Sequence, residues 1–101
     1  MKYNNEAEVN VLGAIIQDND SICKVIDLLK PTDFYKDSNQ IIYSQLKTMY
    51  ENQKPIDLTT VAEGLGSRLK EVGGITYLSE IITSTISSQN IKAYAEIIKE
   101  K

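Results

Sequence analysis

Ile81-Ile82-Thr83-Ser84-Thr85-Ile86 is the stretch whose reading decides the fold class of this chain. Its β-branched residues favour a pleated strand by propensity alone. A strand needs a partner for its backbone N–H and C=O groups, and no other segment of the chain alternates apolar and polar residues with period two. Reading upstream, Ile75, Leu78, Ile81 and Ile82 recur at three and four positions, the spacing of one helix face. The stretch is therefore predicted to end a helix that opens after Gly73-Gly74 and frays after Thr83.

The same periodicity recurs outward in five further segments. Ala7, Val11, Leu12, Ile15 and Ile16 define a first helix, with Asn5 as N-cap and Glu8 at the capping-box spacing. Ile22, Val25, Ile26 and Leu29 define a second, capped by Asp20 or Ser21 and closed before Pro31, whose ring disfavours helical backbone at the preceding residue. A third runs from about Ser38 to Asn52, with Ile42, Leu46, Met49 and Tyr50 on its stripe and Tyr43 beside it. The fourth follows Pro55-Ile56-Asp57, with Asp57 as cap, Leu58, Val61, Ala62 and Leu65 as stripe, and Gly66 as a stop. The sixth follows Ser87-Ser88 and carries Ile91, Tyr94, Ala95 and Ile98. Short connections between such helices imply an all-α fold, a compact bundle of about six short antiparallel helices forming a single domain over residues 1–101. The closing Ile97-Ile98-Lys99-Glu100-Lys101 carries no helix-stopping residue, so the parent is expected to continue past it.

Composition removes several kinds of chemistry. The absence of histidine excludes His-based triads, His-ligated metals and an imidazole proton shuttle. A single cysteine, Cys23, forms neither an internal disulfide nor a Cys-cluster metal site, and reads as a small, partly buried residue beside the second stripe. Gly64-Leu65-Gly66-Ser67 lacks the Gly-Lys-Ser/Thr ending of a phosphate loop. The aspartates fall where helices begin or end and read as caps; Glu96 and Glu100, interleaved with Lys92 and Lys99, read as a solvated face. With net charge −3, one arginine (Arg68) and a Lys92, Lys99, Lys101 cluster offset by glutamates, direct nucleic-acid binding by this segment is not expected. No apolar run is long enough for a membrane span, and the polar first ten residues are not a signal peptide, so a cytoplasmic location is expected. Tyr43 and Tyr94 read as core. Tyr77 lies one position off the Ile75/Leu78 stripe, which makes it either a contact residue or part of the core rim. Composition and spacing thus reach a small helical interaction domain, with no catalytic residue, cofactor site or metal site.

Four phrases, read in order, carry a resemblance. Glu6-Ala7-Glu8 leading into Val11-Leu12-Gly13-Ala14-Ile15-Ile16, then Leu29-Lys30-Pro31-Thr32-Asp33-Phe34-Tyr35, then Pro55-Ile56-Asp57-Leu58, then Val72-Gly73-Gly74 with Tyr77-Leu78 and Asn90-Ile91, resemble the amino-terminal domain of DnaB-type replicative DNA helicases over nearly the whole chain. Asn39 stands where many relatives have histidine, and the connection from Leu65 to Val72 is shorter than usual. The resemblance implies a non-catalytic head that pairs with other helicase subunits in the collar of a ring hexamer and recruits a DnaG-type primase, with a helicase loader as a further partner. ATP and magnesium belong to a RecA-like motor domain absent from this chain. It also places Tyr77 in the primase-facing region. Two other readings stay open, the helicase-interaction domain of a primase and a free-standing helicase-binding adaptor; a Gly-Lys-Thr/Ser loop downstream of residue 101 separates the helicase from the adaptor.

Overall fold

The Ile81–Ile86 stretch is helical as far as Ser84, then leaves the helix at Thr85 with extended backbone. In this computed structural model, which describes residues 4–100, the elements are α1 (Asn5–Gln17), α2 (Asp37–Glu51), α3 (Leu58–Leu65), α4 (Arg68–Val72), α5 (Gly74–Ser84) and α6 (Ile91–Lys99), with 3-10 segments at Asn19–Lys24 and Pro31–Asp33. No strand occurs among the described residues. The radius of gyration, 12.1 Å, is close to the ~13 Å of a folded chain of about 100 residues. The all-α bundle read from the sequence is the observed fold. Met1, Lys2 and Tyr3 of the polar opening, and Lys101 of the basic cluster, lie outside the described residues.

α1 is the axis of the bundle. It packs against both α5 and α6, and Ala7, Val11, Leu12, Ala14 and Ile15 are each fully buried. Gly13 makes the α1–α5 approach possible. A Cβ there would sit 2.0 Å from Thr85 Oγ1 and 2.7 Å from the Ile81 carbonyl oxygen, so only a hydrogen fits. Thr85 in turn donates its hydroxyl to Ile81 O at 2.9 Å, which explains how a polar residue is tolerated at 4% exposure.

Some expectations need correcting. The second helix, expected over Ile22–Leu29, is a 3-10 segment followed by turns. Ser21, read as a cap, instead donates its hydroxyl to Ala14 O at 3.1 Å and is buried, which ties the segment to the end of α1. Ile22, Val25 and Leu29 still reach the core, because i to i+3 and i+4 bonds alternate along the segment and keep one side inward. Cys23 is turned outward and exposed, not partly buried. The cap of α1 is Asn4, accepting from Ala7 N at 2.9 Å, and not Asn5 with a Glu8 capping box. Glu8 points into the protein. Ile75 and Tyr50, placed on stripes by spacing, are 46% and 39% exposed because they lie at the edges of their faces.

Two capping expectations match the structure. Asp57 Oδ1 accepts from Thr60 N at 2.8 Å while Thr60 Oγ1 accepts from Asp57 N at 2.8 Å, a reciprocal box that starts α3. Gly66, at φ +56°, caps the end of α3. α4 had no periodic signal: five residues bury only Val72 fully, with Leu69 half-buried, before Gly73 at φ +114° turns the chain into α5.

Candidate protein-docking site

Gly73 and the opening of α5 place Tyr77 where α1, α2 and α5 converge. A Cβ on Gly73 would meet Tyr77 Cβ at 2.8 Å, so the turn has to be glycine both for its positive φ and for its closeness to this tyrosine. Tyr77 is half-buried. Its hydroxyl donates to Asn39 Oδ1 at 2.6 Å, and the Lys36 ammonium lies 4.5 Å from the ring centroid, in cation–π range.

Behind Tyr77 lies a buried polar string. Asn39, on α2, is fully buried and donates through Nδ2 to Glu8 Oε1 at 2.8 Å. Glu8, on α1, is 3% exposed, and its second oxygen accepts from the Tyr35 backbone N–H at 2.7 Å. A buried carboxylate is costly unless hydrogen bonds replace its water, and here both oxygens are occupied. The sequence reading did not single out Glu8 and Asn39 for this role. The signal was present: Glu8 lies among Ala7, Val11 and Leu12 on the apolar stripe, and Asn39 lies three and four residues before Ile42 and Tyr43.

The open side of Tyr77 faces a groove of about 490 Å³ between α1, α5 and α6. Val9 and Ile81 form its apolar wall, and Tyr94, expected in the core, is half-buried on its α6 side. Ile86, 96% exposed, closes the Ile81–Ile86 stretch on the connection that follows α5 and borders the groove. Glu6 and Glu80 line it, and among the described residues no lysine or arginine does, so the lining they form is negative. Asn10 Oδ1, in its wall, is buried without a hydrogen-bond partner among the described residues. Apolar surface, two tyrosine rings and one unsatisfied acceptor line this recess, the mixture of surface chemistry that suits contact with another protein.

The remaining candidates are placed elsewhere. Arg68 pairs with Glu71 at 3.3 Å, and Lys99 pairs with Asp33 at 3.2 Å, so these cations are engaged within the fold. Cys23 Sγ lies 3.2 Å from Tyr50 Oη on an exposed surface away from the groove. Among the described residues no group of three or more His, Cys, Asp or Glu could hold a metal ion, and no helix is long and apolar enough to cross a membrane.

The chain is 41% identical over 97% of its length to the replicative DNA helicase DnaC of Bacillus subtilis, and 36% identical over 95% to the replicative DNA helicase DnaB of Geobacillus stearothermophilus. It spans 22% of the length of each of these relatives. The crystal structure of the N-terminal domain of DnaB helicase from Mycobacterium tuberculosis superimposes with a TM-score of 0.93 at 33% identity, covering 97% of this chain and 72% of that one. A DnaB-like replicative helicase whose structure was described together with its interactions with primase superimposes with a TM-score of 0.86 at 28% identity, over 96% of this chain and 23% of that one. The family model for the DnaB-like helicase N-terminal domain matches residues 1–100. The chain belongs to the family of DnaB-like replicative helicase N-terminal domains, the part of such helicases that lies outside the ATPase motor.

Proposed function

We propose that this chain is the docking head of a ring-forming replicative helicase, which pairs with neighbouring subunits in the collar and receives a DnaG-type primase at the groove bordered by Tyr77. The observation that carries this reading is the groove itself: an apolar, negatively charged recess between α1, α5 and α6, with Tyr77 in its wall and Ile86 fully exposed beside it. The structural likeness to a helicase described with its primase interactions supports the choice of partner. The matched relatives are helicases rather than primases, which favours this reading over the helicase-interaction domain of a primase. The motor that binds ATP and magnesium and unwinds DNA lies in another part of the parent protein, which works in the cytoplasm within the replisome, where a loader is a further partner.

The test is a calorimetric titration of the chain with the helicase-binding domain of a DnaG-type primase. Saturable binding is expected, and Tyr77→Ala should weaken it about tenfold or more, the usual consequence of truncating an aromatic anchor. Equal affinities for the two proteins would remove Tyr77 from the interface.

A further inference from the structure

Tyr77 is fixed from three directions before any partner arrives. Its hydroxyl is committed to Asn39 Oδ1, its Cβ backs onto Gly73, and Lys36 lies over its ring. Asn39 is held at both ends: its Oδ1 serves Tyr77 and its Nδ2 serves Glu8. Glu8 in turn is held by the Tyr35 backbone N–H. The string runs from α1 through α2 to α5, and each link uses a different atom. An apolar side chain at position 8 would complete the α1 stripe without the desolvation that a carboxylate incurs there. A polar string kept at that cost, ending on a side chain that lines the groove, points to a role beyond packing.

Taking Tyr77 as the docking residue argued above, we propose that Asn39, seated by Glu8, is a positioning residue for docking. It holds the Tyr77 ring at the groove wall, and the Tyr77 hydroxyl is spent inside the domain, so the partner meets the ring and not the phenol oxygen. A ring ordered in advance loses less conformational entropy on binding, which is the contribution the tether makes to affinity.

A double-mutant cycle read by the same titration tests this. Asn39→Ala and Tyr77→Phe each cut the tether, and each should weaken binding of the primase domain about fivefold, on the order of one hydrogen bond. The double variant should be no weaker than either single one, because both remove the same interaction. In NMR spectra of the uncomplexed chain, the Asn39 carboxamide protons should shift in Tyr77→Phe, and the Tyr77 ring should become motionally averaged in Asn39→Ala. If Asn39→Ala fails to fold, Asn39→Ser, too short to reach the phenol, carries the same expectations. Weaker binding by Tyr77→Phe with Asn39→Ala unaffected would send the hydroxyl to the partner and overturn the proposal. So would single losses that multiply in the double variant, or unchanged NMR signals. Unchanged binding by Tyr77→Ala would sink the docking reading and the proposal with it, and the NMR signals would then report whether the tether exists as a purely structural feature.

Discussion

Gln17 Nε2 donates to two carbonyl oxygens at once, Ile82 O at 2.8 Å and Thr85 O at 2.7 Å. The last carbonyls of a helix have no intrahelical donor, and here the final residue of α1 supplies one to the end of α5. That contact helps a β-branched run finish as a helix instead of seeking a strand partner. Gln17→Ala should cost about 1 kcal/mol of stability in urea unfolding, the net value of such bonds at a partly exposed site. Gln17→Glu should cost more, since its carboxylate would face two carbonyl oxygens. A Glu variant as stable as the parent chain would mean that the two bonds contribute nothing.

Gly13 makes a harsher test of the same helix pair. Gly13→Ala drives a methyl to within 2.0 Å of Thr85 Oγ1 and 2.7 Å of the Ile81 carbonyl oxygen. Elsewhere in a helix this change adds about 1 kcal/mol of stability; here overpacking should reverse the sign and cost about 2–3 kcal/mol. Removing the Thr85 hydroxyl in the Gly13→Ala, Thr85→Ala double variant should not rescue it, because the Ile81 carbonyl is backbone and stays in place. Thermal unfolding monitored by circular dichroism is sufficient to read both.

The parts of this fold that were legible were those in which one local rule acted alone. The α1 and α6 stripes, the Asp57 cap and the Gly66 stop follow from spacing and side-chain chemistry within a few residues. The Ile22–Leu29 segment misled because its apolar spacing fits an α-helix and a mixed run of 3-10 turns equally well, and the Ser21 bond to Ala14 O, seven residues back, is not visible in that spacing. α4 was too short to show a period. At the site, the off-stripe position of Tyr77 was visible from spacing. Glu8 and Asn39 looked like a cap and a departure from the family pattern, because their meaning depends on each other across 31 residues.

Tyr43 gives the domain a dependence on alkaline pH. It is fully buried, its hydroxyl donates to Leu29 O at 3.1 Å, and burial, with help from Asp33 and Asp27, pushes its pKa up to about 12 from 10.0. Above pH 10 the unfolded chain releases this proton while the folded chain keeps it, so the folded state binds more protons and stability falls as pH rises. The loss should develop between about pH 10 and 12 and reach roughly 2–3 kcal/mol. Tyr43→Phe gives up the hydrogen bond to Leu29 O, yet its stability should decline less steeply over that window. Parallel slopes for the two proteins in denaturant titrations at several pH values would exclude Tyr43 as the cause.

Glu8 and Asn39 allow the buried string to be tested as a unit without any partner. Glu8→Ala leaves the Asn39 carboxamide, 0% exposed, without its acceptor and takes the second oxygen away from the Tyr35 N–H. Stranding a buried donor costs its full desolvation, so a loss of about 2–4 kcal/mol is expected. Asn39→Ala takes the donor from one oxygen of the buried Glu8 side chain and should cost a comparable amount. Removing both ends strands neither, so the double variant should be more stable than the sum of the single losses allows, by at least about 1 kcal/mol. Chemical denaturation of the four proteins measures that coupling. Strictly additive losses would mean that Glu8 and Asn39 are neighbours that do not depend on one another, and the string would reduce to two separate packing contacts.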